Sequence, residues 1–384
     1  MYMGKSILYD LEATQPSVSG KRHGGGIYGE VLFRKLIESG ADMSAYYNSD
    51  KWFNPDIRNL AELNGIELHD VKGRTVADLV NEIKPTVFYS PVPENFGLGY
   101  DVTVIGTLHG LRHLELPRDP LMGRYAGVPL TQRIKNFVKP LAPGIVQKYN
   151  KRRFYSFLLD KDLVVVSNHT AYSLIQYFPE TARRDVKVFY SPSTTVNMEL
   201  DAAKVADYPY YLMVSGNRWE KNVLRAIMAF EQLFDAGLLP GYKVHITGIK
   251  STGDIRYKYR HPDRFVALGY VDDAELQRQY RDCYGFVYPS LNEGFGYPPV
   301  EAMRFGVPVA ASAVCSIPEV CGDAVLYFNP MDVTEIGNRI LQLTNPSTRE
   351  RLHEAALNRY RLITDRQNND LEALARYIID KSRR

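Results

Sequence analysis

Glu293 and Glu301 stand eight residues apart in the segment Tyr288-Pro-Ser-Leu-Asn-Glu-Gly-Phe-Gly-Tyr-Pro-Pro-Val-Glu-Ala-Met303. The first carboxylate opens a glycine-punctuated loop. Pro298 and Pro299 then mark a helix start, where a missing N–H costs nothing, and the second carboxylate falls on the first turns of that helix. Backbone N–H groups at such a start, with the positive end of the helix dipole, suit a phosphate. Gly294, Phe295, Gly296 and Tyr297 therefore read as an anion cradle with a carboxylate on either side to grip hydroxyl groups. The competing reading is a loop-to-helix junction with two solvated glutamates, which spacing alone does not exclude.

Two further stretches bear on the same chemistry. After the apolar run Tyr210–Val214 comes Ser215-Gly-Asn-Arg-Trp-Glu-Lys-Asn222. Gly216 permits close backbone approach, and Arg218 and Lys221 fall at the start of the next helix. A guanidinium can clamp two phosphate oxygens, and a lysine adds a mobile point charge. After the run Val102–Ile105, His109 lies at a strand end next to Gly110, with Arg112 and His113 just beyond. Near the N-terminus, Gly24, Gly25 and Gly26 form a glycine loop between the first strand and a helix over 31–38. This is not the dinucleotide fingerprint, and it reads as a loop for an acceptor or a phosphate. No convincing acidic pair or cysteine pair marks a metal site.

The elements that hold these residues alternate. Short apolar runs at 6–9, 86–89, 102–105, 163–166 and 186–190 read as buried parallel strands, as do 210–214, 243–247, 265–268, 285–288, 307–310 and 325–328. Helical patterns lie between them, at 224–233, 273–281 and 335–343 for example, and Asp272 with Glu275 resembles a capping box. Alternation of this type implies α/β layers. It occurs twice, with a polar, proline-bearing join near 201–209. The expected division is a first domain over 1–205 and a second over 206–364, facing each other across a central cleft. A last helix, about 365–384, is expected to pack back on the first. Ligands of open α/β sheets bind beyond the carboxyl ends of the strands, where every motif above sits.

A chain of 384 residues with 45% apolar content is globular and long enough for two cores. It shows no apolar run of membrane-spanning length and no signal-like start, so a cytoplasmic protein is expected. Cys283, Cys315 and Cys321 form no CxxC pair and read as inert core residues. Net charge is only +3, yet from Pro120 to Leu159 there is no acid. Eight basic residues from Arg124 to Arg153 alternate there with apolar ones. Such a surface can dock on anionic lipid, placing the protein peripherally at the inner face of a membrane. The plain alternative is a solvated helix face. No recognised nucleic-acid module accompanies the stretch.

The text from Leu268-Gly-Tyr-Val-Asp-Asp-Ala-Glu-Leu276 through Phe286-Val-Tyr-Pro-Ser290, Glu293–Glu301, Ala302-Met-Arg-Phe-Gly-Val-Pro-Val309 and Ser316-Ile-Pro-Glu-Val320 to Gly322-Asp-Ala324 resembles glycosyltransferase family 4. The first half matches only in outline. The resemblance implies the GT-B fold of two Rossmann-like doubly wound domains. It also implies retaining transfer of a hexose or deoxyhexose from a UDP, GDP or dTDP sugar to an acceptor hydroxyl, with no metal or other cofactor. The acceptor it suggests is a glycan or lipid-linked glycan in bacterial cell-surface synthesis of the O-antigen or capsule type. A nucleotide-sugar epimerase on the same fold and a non-catalytic carbohydrate-binding scaffold are the alternatives.

Carried over by position, Glu293 would contact the transferred sugar near the reacting carbon, and Glu301 would hold ribose hydroxyls. Arg218 and Lys221 would neutralise the diphosphate, faced also by the N–H groups of Phe295 to Tyr297. His109 would touch the donor sugar from the opposite domain. Trp219 and Glu220 separate Arg218 from Lys221, a departure from many relatives, so Glu220 is expected to point away from the diphosphate.

Overall fold

The computed structural model describes residues 6–16, 23–93, 102–138, 144, 148, 161–193, 200 and 205–383. The chain divides into two compact units. The first comprises Met1–Leu111, Lys148–Thr194 and Thr364–Arg384, and the second Arg112–Gln147 and Thr195–Ile363. Each is built on one parallel sheet, so each is an α/β domain of the kind that the resemblance implies.

The first sheet holds β1 (Ile7–Asp10), β2 (Met43–Tyr47), β3 (Glu67–Asp70), β4 (Val87–Ser90), β5 (Thr103–Leu108), β6 (Lys161–Val165) and β7 (Lys187–Val188), in the order β3-β2-β1-β4-β5-β6-β7. The second holds β8 (Tyr210–Met213), β9 (Lys243–Thr247), β10 (Phe265–Gly269), β11 (Gly285–Tyr288), β12 (Val309–Ser312) and β13 (Val325–Phe328), in the order β10-β9-β8-β11-β12-β13. Both are doubly wound, with strand order reversing beside β1 in one sheet and beside β8 in the other. Loops at the carboxyl ends of such a strand pair splay apart and leave a crevice.

Both faces of the second sheet are covered, which explains its near-continuous apolar strands. Alternate residues of β8 enter different cores. Tyr211 and Met213 pack with Ile227 and Phe230 of the helix Val223–Asp235, whereas Tyr210, Leu212 and Val214 pack with Met303, Ile317 and Cys321. Cys283 and Cys321 are buried, and burial pushes both thiols up, Cys321 to about 12, so they are inert packing groups.

Several expectations shift. Strands β2 and β3 are additions that the sequence pattern does not mark. The helix Asp273–Asp282 is capped by Asp272, which accepts from the Glu275 N–H at 2.8 Å. Glu275 completes no capping box, because its carboxylate receives Arg278 and Gln279 instead. The last helix is one element from Pro346 to Ser382, about five turns longer than its expected start at 365 allows. Its second half is part of the first unit. There Asp370 accepts from the Tyr190 N–H at 2.8 Å, and Gln367 donates to the Ser191 carbonyl at 2.6 Å.

The largest departure concerns residues 112–147, expected in the first domain but grouped with the second unit. The physical reason is a buried clamp. Both Nη atoms of Arg225 donate to the Asp119 carboxylate, at 3.0 and 2.8 Å, and the pair is almost fully buried. Tyr125 Oη accepts from the Leu224 N–H, and Tyr125 forms an antiparallel bridge with Ile255. The helix Leu130–Val138 follows, held by Arg133, which donates to the Val128 and Tyr125 carbonyls.

Candidate active site

The turn after β8 and the loop after β11 leave neighbouring strands at the point where the second sheet reverses. That adjacency brings together charges 72 residues apart in sequence. Lys221 closes a 3-10 turn, Trp219–Lys221, and Asn222 behind it adopts a left-handed conformation with φ 56°. Asn222 can hold that backbone because its side-chain amide donates to the Pro289 and Pro330 carbonyls. The turn thereby aims Lys221 inward.

Lys221 Nζ donates to Glu293 Oε1 at 2.6 Å and to Tyr288 Oη at 2.8 Å. Tyr288 Oη in turn donates to Glu293 Oε1 at 2.6 Å, and Ser290 Oγ donates to the same oxygen. Lys221 and Glu293 are 6% and 8% exposed. Burial by itself would raise the Glu293 carboxyl, but Lys221 and the Ser290 and Tyr288 hydroxyls outweigh it and hold the group below its usual range. Burial pulls the Lys221 ammonium down, and Glu293 only partly restores it. The two titrate as a pair, and the 2.6 Å contact with three donors on one oxygen favours the ionised form. Sequence reasoning gives Tyr288 and Ser290 no role of their own. Their signal is position, two hydroxyls alternating around Pro289 at a strand end, just ahead of a carboxylate.

Arg218 is not a free clamp. Its Nε and Nη2 donate to Glu220 Oε1 at 3.0 and 2.7 Å, and Arg112 Nη1 reaches the same oxygen at 3.1 Å. Glu220, expected to point away from a diphosphate, is held within this charge cluster by both guanidiniums. It is the counter-ion of both, because burying it without a cation would be costly. Desolvation raises its carboxyl, yet Arg218 and Arg112 bring it below the ordinary value.

Gly296 caps the short helix Tyr297–Met303 with φ 103°, a conformation L side chains rarely adopt, so the glycine is needed for the turn itself. Ser316 Oγ ties the loop by donating to the Glu293 and Phe295 carbonyls. Phe295 is buried and its ring is tilted against Tyr297 at 5.2 Å, while Gly294 is half-buried between Glu293 and Phe295. Glu301, on the helix, is half-buried, and burial raises its carboxyl. Tyr280 Oη lies near enough to oppose that rise but makes no hydrogen bond of normal geometry.

Gly216 serves packing. A Cβ there would lie 2.6 Å from Ile246 Cγ2 and 3.3 Å from the Thr247 carbonyl oxygen of β9. The bare Cα lets the chain cross that strand, and its N–H donates to the Thr247 carbonyl at 2.7 Å.

The remaining predicted residues belong to the first unit. Gly24, Gly25 and Gly26 form the first turn of the helix Gly24–Glu38 rather than a loop, with His23 Nδ1 accepting from the Gly26 N–H at 3.0 Å. A Cβ on Gly26 would sit 2.7 Å from the Thr14 carbonyl, so that glycine too permits close packing, while Gly24 faces open space. His109, after β5, directs Nε2 to the Pro91 carbonyl at 2.8 Å. A carbonyl only accepts, so Nε2 carries the proton. Burial holds the ring's pKa at about 4, and the Tyr28 ring packs perpendicular to it with centroids 4.7 Å apart. His109 is therefore a neutral, fixed imidazole. Of the basic stretch, 139–143, 145–147 and 149–160 lie outside the described residues. Leu130 and Ile134, one helical turn apart at its start, are 70% and 53% exposed.

The profile of the glycosyl transferases group 1 matches residues 199–359. Over 143 residues the chain is 43% identical to the O-antigen chain mannosyltransferase B of Escherichia coli, a match covering 37% of this chain and 30% of that protein. It is also 43% identical over 70 residues to the O-antigen chain mannosyltransferase RfbU of Salmonella typhimurium, covering 18% of this chain and 20% of that protein. Each alignment thus spans less than a third of the relative. Among solved structures, Anabaena HepE in complex with UDP and glucose superposes with a TM-score of 0.66 at 16% identity, covering 97% of this chain and 99% of that one.

Proposed function

We propose that this chain transfers a hexose from a nucleoside-diphosphate sugar to an acceptor hydroxyl, a reading supported by the match of residues 199–359 to the glycosyl transferases group 1. The observation that carries the reading is the buried Lys221–Glu293 pair at the strand-order reversal, with Arg218 beside it. A preorganised ammonium at a crevice of this type can neutralise an anionic leaving group without reorganising, and single groups of this sort are worth about 3–4 kcal/mol. Glu293 is assigned to the sugar near its reacting carbon, where positive charge develops as the sugar–phosphate bond breaks. An acceptor hydroxyl arriving on the same face passes its proton to the departing phosphate oxygen. No protein nucleophile is required, and the anomeric configuration is retained. Glu301 is assigned to ribose hydroxyls. His109, a neutral hydrogen-bonding group, is assigned to the donor sugar, and Gly24 to Gly26 to acceptor or phosphate. No metal enters the scheme.

The relatives' names support mannose as the hexose and an O-antigen-type glycan as the acceptor, and they favour transfer over epimerisation or a non-catalytic role. The decisive experiment offers GDP-, UDP- and dTDP-sugars with lipid-linked glycan acceptors. Nucleotide release that needs the acceptor, with a product of unchanged anomeric configuration, is expected. A new sugar nucleotide formed without release would mean epimerisation.

We also propose that the stretch Arg124–Arg153 contacts anionic membrane. The support is its eight basic residues without an acid, together with the exposed Leu130 and Ile134. Co-sedimentation with anionic vesicles at low salt tests it, and equal recovery in the supernatant with and without vesicles would end it.

A further inference from the structure

Arg112 has no role in the scheme above, although it touches the same charges. The helical turn Arg112–Glu115 belongs to the second unit and holds both loops of the site. At one end, Arg112 Nη1 donates to Glu220 Oε1. At the other, Glu115 Oε2 accepts from Asn292 Nδ2 at 2.7 Å, next to Glu293. The turn is therefore braced between the Arg218 side and the Glu293 side, which fixes where the Arg112 guanidinium lies.

The electrostatics leave a surplus. Two guanidiniums, Arg112 and Arg218, share the single carboxylate of Glu220, while Lys221 is matched by Glu293 and the Glu115 carboxylate is held by the Asn292 amide. One Glu220 oxygen serves both guanidiniums, and the Arg112 guanidinium makes no further hydrogen bond among the described residues. The Arg112 and Arg218 side chains are 39% and 41% exposed, while Glu220 is 12% exposed. The carboxylate is covered and the positive faces are presented outward. A scaffold that holds two guanidiniums together against their repulsion, with donors left over, is built for an anion carrying more than one charge.

We propose that Arg112 is a third cation of the donor diphosphate site, anchored by Glu220, and that it discriminates a nucleoside diphosphate from a nucleoside monophosphate. This inference rests on the donor reading given above. Lys221 and Arg218 supply charge to either nucleotide, and the second phosphate is the group that engages Arg112.

The test is calorimetric titration of the wild type, Arg112→Ala and Arg112→Lys with GDP, GMP, UDP, UMP, dTDP and dTMP. The wild type is expected to prefer one diphosphate. Arg112→Ala should lose about tenfold or more in affinity for that diphosphate, the size of one charge-assisted hydrogen bond, and less than about twofold for the matching monophosphate. Arg112→Lys should recover part of the loss. An unchanged diphosphate-to-monophosphate ratio in Arg112→Ala, whether both affinities fall or neither does, overturns the Arg112 assignment alone. A folded wild type that binds none of the six nucleotides overturns the donor reading and this inference with it.

Discussion

Replacing Lys221 by Met keeps the stem's volume and removes only the charge that faces Glu293. At 2.6 Å and an effective dielectric of about 20, two unit charges attract by about 6 kcal/mol. Desolvation of both groups takes back much of that, yet removing one partner leaves the other buried and uncompensated, which costs about 3–5 kcal/mol. Lys221→Met should therefore destabilise the second unit by that amount, as should Glu293→Gln. The double variant should be markedly more stable than either single one, since no buried charge is left without a partner.

Turnover should behave differently. Each single variant should lose about 10²–10³-fold, and the double variant should recover none of it. Urea denaturation followed by Trp219, buried in the turn itself, reads stability, and donor-dependent nucleotide release reads chemistry. The pH dependence supplies a sign. In the wild type the Glu293 carboxyl lies below its ordinary 4.5, so its stabilisation is complete above that value and is lost on acidification. Without Lys221, burial raises the carboxyl instead. The folded state then holds the extra proton, and stability falls as pH rises above about 4.5. A Lys221→Met protein with near-wild-type turnover would refute the leaving-group assignment. A double variant as unstable as the two singles summed would refute the ion-pair argument.

His109, with its pKa held at about 4 by burial, should stay in the neutral Nε2–H form throughout the neutral range, as imidazole ¹⁵N shifts will report. The unfolded chain protonates near 6.5, so stability should fall as pH drops from 6.5 to about 4, and His109→Asn should remove that slope. Asp119→Ala should cost about 3–5 kcal/mol in urea denaturation by stranding Arg225, which is 5% exposed, while Asp119→Leu with Arg225→Met should recover most of it.

The sequence is most legible where physics is local. Strands β8, β11 and β13 appear in it as short apolar runs, because a strand covered on both faces has few polar positions to spare. β3, Glu67-Leu-His-Asp70, is an edge strand with no fully buried residue, so nothing in its composition marks it. β2 is buried, but its Ser44 and Ala45 dilute the apolar signal. The charged residues of the site are equally visible, because turns that need Gly296 or Pro298 announce themselves.

What sequence cannot supply is which charges meet. Lys221 reaches Glu293 across 72 residues and Arg225 reaches Asp119 across 106, and only the order β9-β8-β11 and the path of residues 112–129 decide those meetings. The same gap explains two glycine readings. Sequence reasoning assigns Gly216 and Gly26 to ligands because a glycine's freedom is local and its neighbour is not. In each case a protein neighbour also requires the bare Cα, β9 for one and the Thr14 carbonyl for the other. It also explains Glu220. Its sequence neighbours Arg218 and Lys221 suggest an acid kept out of the way, whereas Arg112, 108 residues distant, makes it the joint between two cations.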